Sequence, residues 1–312
     1  MGVGKGSGCH HMITLTAEDA FSAYEAVRHR LPSAAVSDNA PRLARSLEDI
    51  SGEFDAFLLD AFGVLNIGET PIAGTRERID DLRDAGKRVL VVSNAASLPH
   101  DDLVEKYRRL GYQFDPEDII TSRLALAAAI GRQGVKRWGV MCAENTRLGD
   151  LGDLRALVLE DDAQPYEDVD GFLLIGSGSW TETRQVMLES ALWSAPRPVL
   201  VANPDIVAPR ETGFSAEPGH FAHLLADCTG VAPQFFGKPF ANIFELAFAR
   251  LGDIRKDRIL MVGDSLHTDI LGAQAVGVAS ALVADYGFFA GADVHGAIEQ
   301  AGIVPDFILD RP

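Results

Sequence analysis

Short apolar segments that alternate with helical patterns are the feature that most constrains the fold of this chain. Eight such segments after residue 53 read as strands, and two of them, residues 89–92 and 259–262, are apolar at every position. Continuous apolar strands are typical of a parallel sheet that helices cover on both faces. We therefore predict an α/β protein with a doubly wound, mainly parallel, Rossmann-like core sheet and an inserted α/β cap domain.

The predicted elements follow one another in a regular order along the chain. The strand candidates are residues 54–59, 88–92, 138–142, 171–175, 198–202, 259–262, 280–284 and 306–309. The helical patterns are residues 75–85, 100–111, 123–131, 182–194, 240–251 and 269–276. A further helix is expected over residues 16–31, with Thr16 as its N-cap and Asp19 in its first turn.

Reactive side chains are concentrated near the two ends of this strand-and-helix region. This distribution predicts a core sheet that is built from both ends and interrupted by an inserted domain. We expect four segments: an N-terminal helical extension (1–47), a first part of the core domain (48–97), a cap domain (98–235) and a second part of the core domain (236–312).

Composition argues against several classes of protein. The chain has 28 basic and 45 acidic residues and a net charge of −17, whereas nucleic acids and anionic membranes attract basic surfaces. Three widely separated cysteines are not a disulfide framework and suit a reducing compartment. No apolar run reaches the ~18 residues of a membrane span. We expect a cytoplasmic protein that binds neither nucleic acid nor membrane; a homo-oligomer is left open.

Asp60 and Asp264 each come directly after a predicted buried strand. Open α/β sheets bind ligands at this end of their strands, although a lone Asp there also serves in turns. Together the two carboxylates would suit Mg²⁺, which prefers oxygen ligands. Asp269, five residues after Asp264, opens a predicted helix and could equally be a favourable charge at the helix start.

Ser93, Asn94 and Lys238 could hold an anion. Ser93 and Asn94 follow a predicted strand, where they could donate to a phosphate oxygen or simply form a turn. Lys238 lies before Pro239 at the positive end of a predicted helix, and a bound anion would relieve that unfavourable placement. These residues support phosphoryl transfer in which Asp60 attacks phosphorus and forms an aspartyl-phosphate.

The four segments around these residues resemble the signature of the haloacid dehalogenase superfamily. The insertion between Ser93 and Lys238 is similar to the class II, subtype A cap of the 4-nitrophenylphosphatase-like, pyridoxal phosphatase-like and sugar phosphatase-like branch. Matching stretches also include Ala202-Asn203-Pro204-Asp205, and Pro218-Gly219 ahead of an apolar helix. The resemblance extends from about residue 50 to residue 312, and residues 1–47 lie outside it.

The resemblance implies a Mg²⁺-dependent phosphatase that uses an aspartyl-phosphate intermediate. Asp60 would be both the nucleophile and a metal ligand. The main-chain carbonyl of Phe62 and the carboxylate of Asp264 would be the other protein ligands of the metal. Asp269 would orient a metal-bound water.

The resemblance also implies how a small phosphorylated metabolite would be held. Ser93, Asn94 and Lys238 would bind the phosphoryl group. Asn203 and Asp205 would belong to the cap, which would cover the site and select the leaving group.

Phe62 departs from the pattern of the superfamily. Its phosphatases normally carry Asp there, which protonates the leaving group and then activates water. General acid–base catalysis contributes ~10²–10⁴-fold, so we expect weak activity on ordinary phosphomonoesters. Three accounts stay open: a substrate with a good leaving group such as an acyl phosphate, a proton from another group such as His267 or Glu69, or a non-hydrolytic phosphate-binding or regulatory protein on the same scaffold.

Overall fold

A computed structural model describes residues 16–33, 40–135, 137–143, 146–209 and 214–312. The strands are β1 (Arg42–Ala44), β2 (Ala56–Leu59), β3 (Asn66–Ile67), β4 (Thr70–Pro71), β5 (Arg88–Ser93), β6 (Ile119–Thr121), β7 (Trp138–Met141), β8 (Ala156–Val158), β9 (Gly171–Leu174), β10 (Val199–Val201), β11 (Val207–Pro209), β12 (Phe214–Ala216), β13 (Gln234–Phe235), β14 (Ile259–Gly263), β15 (Ala279–Val283) and β16 (Phe307–Leu309). The helices are α1 (Ala17–Ala26), α2 (Thr75–Asp84), α3 (His100–Arg109), α4 (Ser122–Ile130), α5 (Gln164–Glu167), α6 (Glu182–Ser194), α7 (Pro218–Thr229), α8 (Ala241–Leu251), α9 (Leu271–Val276) and α10 (Val294–Ala301).

The larger sheet has seven parallel strands in the order β1-β16-β15-β14-β2-β5-β6. From its centre, β2, β5 and β6 follow one another toward one edge, and β14, β15 and β16 follow one another toward the other. The strand order therefore reverses between β2 and β14, where Leu59 is paired with Val262. This reversal opens a crevice at the carboxyl ends of the two strands. The predicted doubly wound parallel core is confirmed.

Alternating side chains of the central strands are buried on both faces of this sheet. Phe57 and Leu59 of β2 belong to one apolar cluster, together with Leu82 of α2 and Leu103 of α3. Leu58, between them, belongs to a second cluster on the opposite face with α8 and α9. Successive side chains of a strand point to opposite faces, so β2 has to be apolar throughout. The strand can end on a carboxylate only where it leaves the sheet.

The cap contains a second parallel sheet, with strands in the order β13-β10-β9-β7-β8. The predicted inserted α/β domain is therefore confirmed. β6 lies inside the range 98–235 predicted for the cap, yet it pairs with β5 in the core sheet. A three-residue apolar strand has the same sequence pattern in either sheet, and only the pairing assigns it. The domain boundaries themselves stay a prediction.

Two predicted helices differ from those in the structure near the site. The helix expected over residues 16–31 ends at Ala26 and is followed by a short 3-10 helix, Arg28–Arg30. The helix expected to begin at Asp269 begins instead at Leu271, after a π-helical turn over Leu266–Ile270. Asp269 therefore lies within this turn and not at a helix start. In the described part of the chain, no helix combines the length and the apolar composition needed to cross a bilayer.

The N-terminal extension contributes a strand as well as a helix. Thr16 caps α1 as predicted, because its hydroxyl accepts from the main-chain N–H of Asp19 and the Asp19 carboxylate accepts from that of Thr16. Farther along, β1 pairs in parallel with β16 and forms an edge of the core sheet. No sequence signal indicated β1, since it has only three residues and begins with the polar Arg42.

Candidate active site

Asp60 and Asp264 meet at the crevice between the two central strands. Asp60 follows β2, and its main-chain N–H donates to the carbonyl of Val262 in β14 at 2.9 Å. Asp264 follows Gly263, the last residue of β14. Because these strands are neighbours and parallel, their carboxyl ends lie at the same edge of the sheet. Residues that are 204 positions apart thus become spatial neighbours.

Asp269 completes a group of three carboxylates. One oxygen each from Asp60, Asp264 and Asp269 lies within 4.8 Å of the others. The main-chain N–H groups of Asp264 and Ser265 both donate to Asp269 Oδ2 at 3.1 Å. This side chain is fully buried, and burial raises the pKa of Asp269 to about 6 in spite of the nearby Lys238 ammonium. Asp269 therefore shapes the loop that presents Asp264.

Lys238 is the cation of this group. Its Nζ lies 2.6 Å from Asp60 Oδ1 and 2.7 Å from Asp269 Oδ1. Only 1% of the residue is exposed. Burial alone would lower the pKa of Lys238, but Asp269 and Asp60 outweigh it and raise the pKa. Two carboxylates thus neutralise the ammonium placed before α8, and a third negative group, such as a phosphoryl oxygen, would compete for the same donors.

Two loops enclose the carboxylate of Asp264. Its Oδ2 accepts from the main-chain N–H of Phe288 at 2.8 Å. Gly63 and Gly287 both have a left-handed backbone, with φ of 76° and 75°. A Cβ on Gly63 would lie 2.5 Å from Asp264 Oδ2, and one on Gly287 would lie 1.9 Å from it. Only glycine fits at both positions, because the backbone itself forms the wall around this oxygen.

The donor set fits a hard divalent cation. The three clustered groups are carboxylates, which are the ligands that Mg²⁺ prefers. Burial, then the charges of Asp60 and Asp269, raise the pKa of Asp264 well above its usual range. Like charges that are gathered and buried in this way favour either a proton or a cation between them. Asp60 and Asp264 are therefore able to hold Mg²⁺, with Phe62 following in the turn after β2.

Asn94 connects the core to the cap. Its Oδ1 accepts from the main-chain N–H of Lys238 at 2.7 Å, and its Nδ2 donates to the Lys238 carbonyl at 2.9 Å. The same Nδ2 donates to Asp205 Oδ1 at 2.7 Å. Burial, offset in part by this bond, raises the pKa of Asp205 to about 7. The Asn94 side chain thus positions Lys238, and Ser93 beside it is buried at the end of β5.

Asn203 shapes the cap loop. Its Oδ1 accepts from the main-chain N–H of Asp205 at 3.0 Å, and its Nδ2 donates to Glu217 at 3.2 Å. These bonds hold residues 203–205 over the site, where Asp205 reaches Asn94. The structure therefore brings Lys238, Asn94 and Asp205 together with the three carboxylates, from both parts of the core and from the cap. Ser93 and Asn203 lie in the same loops, and Phe62 follows Asp60 in the turn after β2.

His267 and Glu69 do not face the carboxylates. The Nε2 of His267 lies 2.5 Å from Glu25 Oε1 in α1, and only 1% of the residue is exposed. Glu69 forms an ion pair with Lys106 at 2.8 Å and its side chain is 72% exposed. Each of the two groups that could have replaced an acid at position 62 is thus engaged elsewhere.

Sequence reasoning missed three contributors to the site. Phe288 offers a main-chain N–H, which has no sequence signature. Tyr107 of α3 is buried, and burial followed by the charge of Asp60 raises its pKa, so the phenol lies near the Asp60 carboxylate. Tyr24 of α1 reaches both His267 and the cap loop. Their positions depend on packing between elements that are distant in sequence.

Comparison with known proteins identifies the family. A family model described as haloacid dehalogenase-like hydrolase matches residues 57–148, and one described as HAD-hydrolase-like matches residues 235–310. An acid sugar phosphatase of Staphylococcus aureus is 31% identical over 229 residues, which cover 72% of this chain and 85% of that protein. The chain belongs to the haloacid dehalogenase-like hydrolases.

Solved structures of this hydrolase family share the fold. A possible sugar phosphatase from Cytophaga hutchinsonii has a TM-score of 0.75 and 26% identity, covering 88% of this chain and 98% of its own. A glycerol phosphate phosphatase from Mycobacterium tuberculosis, solved with magnesium, has a TM-score of 0.67 and 26% identity, covering 84% of this chain and 76% of its own. This haloacid dehalogenase-like chain is a phosphoric-ester hydrolase, and its family uses Mg²⁺.

Proposed function

We propose that this hydrolase removes phosphate from small phosphorylated metabolites of the sugar phosphate or glycerol phosphate class, with Mg²⁺ as its cofactor. The observation that carries the proposal is the meeting of Asp60, Asp264 and Asp269 with Lys238 at the point where the strand order reverses. The substrate class is supported by relatives named as a sugar phosphatase and a glycerol phosphate phosphatase.

Asp60 is the proposed nucleophile. Its side chain is 13% exposed, whereas that of Asp269 is 0% exposed. An approaching phosphoryl group therefore meets Asp60 first. The new bond joins a carboxylate oxygen of Asp60 to phosphorus, and the bond from phosphorus to the leaving oxygen breaks. Mg²⁺, bound by Asp60, Asp264 and the Phe62 carbonyl, would neutralise charge on the transferred group.

The remaining residues bind and orient the substrate. Lys238 would donate to a phosphoryl oxygen from its buried position. The Ser93 hydroxyl and the main chain of Asn94 would donate at the end of β5, because the Asn94 side chain is committed to Lys238 and Asp205. Asp269 would orient water, while Asn203 and Asp205 would cover the site from the cap and exclude bulk solvent.

The side chain at position 62 should limit the range of substrates. Phenylalanine holds no proton for a departing alkoxide, and neither His267 nor Glu69 faces the site. We therefore expect poor leaving groups to react slowly and aryl or acyl phosphates to react faster. The alternative function that Phe62 allows is the binding of phosphorylated ligands without their hydrolysis.

The test is phosphate release from sugar, glycerol, aryl and acyl phosphates with Mg²⁺ and with EDTA. We expect Mg²⁺-dependent turnover that Asp60→Asn abolishes. Asp81→Asn, on the exposed face of α2, should leave turnover unchanged.

Rapid quenching with a labelled substrate should trap a hydroxylamine-sensitive phosphate on Asp60. Turnover that survives in Asp60→Asn would refute the mechanism, and binding without turnover of any ester would refute the proposed activity.

A further inference from the structure

Helix α1 lies against both halves of the active site, although both family-model matches begin after it, at residues 57 and 235. Phe21 and Tyr24 of this helix are buried. They share an apolar cluster with Leu266 and Ile270 of the π-helical turn. The same cluster contains Ile206, which follows the cap loop of residues 203–205. One helix from the extension thus packs on the core and on the cap at once.

The contact with the core falls on the loop that carries two of the three carboxylates. His267 lies between Asp264 and Asp269 and is stacked on the ring of Tyr24, with centroids 5.0 Å apart and planes 10° apart. Phe21 meets the same imidazole edge-on at 5.2 Å. The bond from His267 to Glu25 satisfies a ring nitrogen that burial would otherwise leave unpaired. Three neighbouring side chains of α1 therefore enclose one residue of this loop.

The contact with the cap falls next to Asp205. The main-chain N–H of Ile206 donates to the Tyr24 hydroxyl at 3.2 Å. Burial, followed by the charge of Asp205, raises the pKa of Tyr24 well above its usual range, so the hydroxyl stays protonated. Arg30, just beyond α1, forms an ion pair with Asp227 of the cap helix α7 at 2.5 Å. Tyr24 is thus the side chain through which the helix reaches both loops.

We propose that Tyr24 and Glu25 are positioning residues of the active site. Glu25 and the Tyr24 ring hold His267, and with it the spacing of Asp264 and Asp269. The Tyr24 hydroxyl holds Ile206, and with it the placement of Asp205 over Asn94. The inference rests on the proposed function, because the positions that it concerns are those of the proposed metal and substrate ligands.

The two contacts predict two separable defects. Tyr24→Phe keeps the stacked ring and removes the acceptor of the Ile206 N–H. A neutral hydrogen bond of this kind corresponds to about a fivefold effect, so we expect KM for a hydrolysed phosphate ester to rise about fivefold with kcat little changed. Hydrogen exchange of the Ile206 amide should accelerate by a similar factor. Mg²⁺ affinity, measured by calorimetry, should stay unchanged.

Glu25→Ala should have the complementary effect. Without its partner, the His267 ring can turn, and the loop between Asp264 and Asp269 loses its support. Partners that orient the ligands of a metal typically contribute about 10–100-fold in affinity, and since Glu25 acts through His267 we expect the lower end, a tenfold weaker Mg²⁺ affinity. Glu25→Gln, which can still bond to the imidazole, should restore most of it.

Tyr166→Phe is the matched control. Tyr166 is a buried tyrosine of α5 whose hydroxyl donates to the carbonyl of Glu160 at 2.9 Å, within the cap. The Tyr166→Phe variant should lose stability, as Tyr24→Phe does, but its KM and its Mg²⁺ affinity should stay at wild-type values. If Tyr24→Phe and Glu25→Ala match this control in KM and Mg²⁺ affinity, the positioning role is refuted. If the wild type hydrolyses no ester, the proposed function fails. The Mg²⁺ affinity from calorimetry and the hydrogen-exchange rate of the Ile206 amide would still decide whether α1 positions the two loops.

Discussion

Phe62 is the residue whose chemistry most shapes the activity expected of this hydrolase. By its resemblance to the superfamily signature, it stands at the position of the acid that protonates the leaving group, and its side chain cannot do so. The structure also removes the two substitutes suggested by the sequence, because His267 is bonded to Glu25 and Glu69 to Lys106. The limit on leaving groups that we propose would therefore be a property of one side chain.

Phe62→Asp should raise turnover of alkyl phosphates, such as sugar phosphates, by about 10²-fold, because general acid catalysis contributes at least that much. The effect on aryl and acyl phosphates should be small, since their leaving groups need no proton. Steady-state kinetics on both classes measure the difference. Phe62→Asn has a similar size to Phe62→Asp without an acid and should show no gain; an equal gain in both variants would contradict the assignment.

Gly287 and Gly291 allow the enclosure of Asp264 to be tested within one loop. Both have φ of 75°, but only at Gly287 does an added Cβ meet Asp264. Gly291→Ala should cost about 1 kcal/mol for the left-handed backbone alone. Gly287→Ala should cost about 1–3 kcal/mol more through overpacking and should also weaken Mg²⁺ binding. Urea unfolding measures the free energy of unfolding, and calorimetry measures Mg²⁺ affinity. Equal values for the two variants would show that the contact between the new Cβ and Asp264 is relieved by movement of the loop.

At the scale of elements, helix α4 connects the core to the cap through one buried cation. Arg123 donates to the carbonyl of Ala96 after β5 and to both carboxylate oxygens of Asp150, beyond β7. Its side chain is only 2% exposed. A buried guanidinium is tolerated there because its N–H groups donate to these acceptors. The Arg123 side chain thus connects the core sheet to the cap sheet near the point where the chain crosses between them.

Arg123→Met should lower the free energy of unfolding by about 3 kcal/mol, because it leaves Asp150 partly buried without its partner. Arg255→Met removes an exposed pair with Asp257, with 78% of the Arg255 side chain exposed, and should change stability by less than about 0.5 kcal/mol. Chemical denaturation measures both. A cost at Arg123 no larger than that at Arg255 would mean that packing alone joins α4 to the cap.

Boundaries of elements were predicted well where apolar periodicity is strong and poorly where packing decides. Residues 182–194 form α6 as predicted, and the buried strands end within two residues of their expected bounds. β6 was not predicted as a strand, and neither were β1 and β8. Each has only three residues and is defined by its neighbour in the sheet. The π-helical turn before α9 was also missed. The Asp269 carboxylate within it accepts from the main-chain N–H groups of Asp264 and Ser265, a contact that apolar periodicity does not indicate.

At the scale of the whole molecule, the proposed active site concentrates negative charge in a chain that is already acidic overall. Three carboxylates lie within 4.8 Å of one another, with one ammonium among them. Burial raises the pKa of Asp269 to about 6 and that of Asp205 to about 7. Once these carboxyl groups are deprotonated, their mutual repulsion therefore lowers the stability of the folded protein. A divalent cation bound between them would relieve this repulsion.

Without metal, the contribution of Asp205 and Asp269 to stability should fall as pH rises from about 4 to about 7. Over this range the folded protein retains protons at Asp205 and Asp269 that the unfolded chain has already released, and their raised pKa values therefore stabilise the fold only at low pH. Above about 7 the contribution of these two groups should level off. His223 acts in the opposite direction, because burial lowers its pKa to about 4. Denaturation in EDTA of the wild type and of Asp205→Asn therefore measures the effect, and an equal pH dependence in the two would contradict the raised pKa of Asp205.

Mg²⁺ should reverse this loss at neutral pH, by about 2.7 kcal/mol at a free concentration 100 times its Kd. Asp264→Asn should stabilise the metal-free protein, because it removes one of three like charges while its amide oxygen can still accept from Phe288. The same variant should lose the Mg²⁺ response. Thermal unfolding with and without Mg²⁺ provides both measurements, and an unchanged response in Asp264→Asn would exclude this side chain as a ligand.

The amino-acid sequence alone predicted the class of fold and the kinds of chemical groups at the site. Continuous apolar strands are typical of a parallel sheet that is covered on both faces, and carboxylates that end such strands lie at its carboxyl edge. Only the tertiary structure decided that Asp269 is buried in a π-helical turn, that Asn94 positions Lys238, and that α1 reaches both loops. These outcomes depend on contacts between residues far apart in the chain, which local periodicity does not encode.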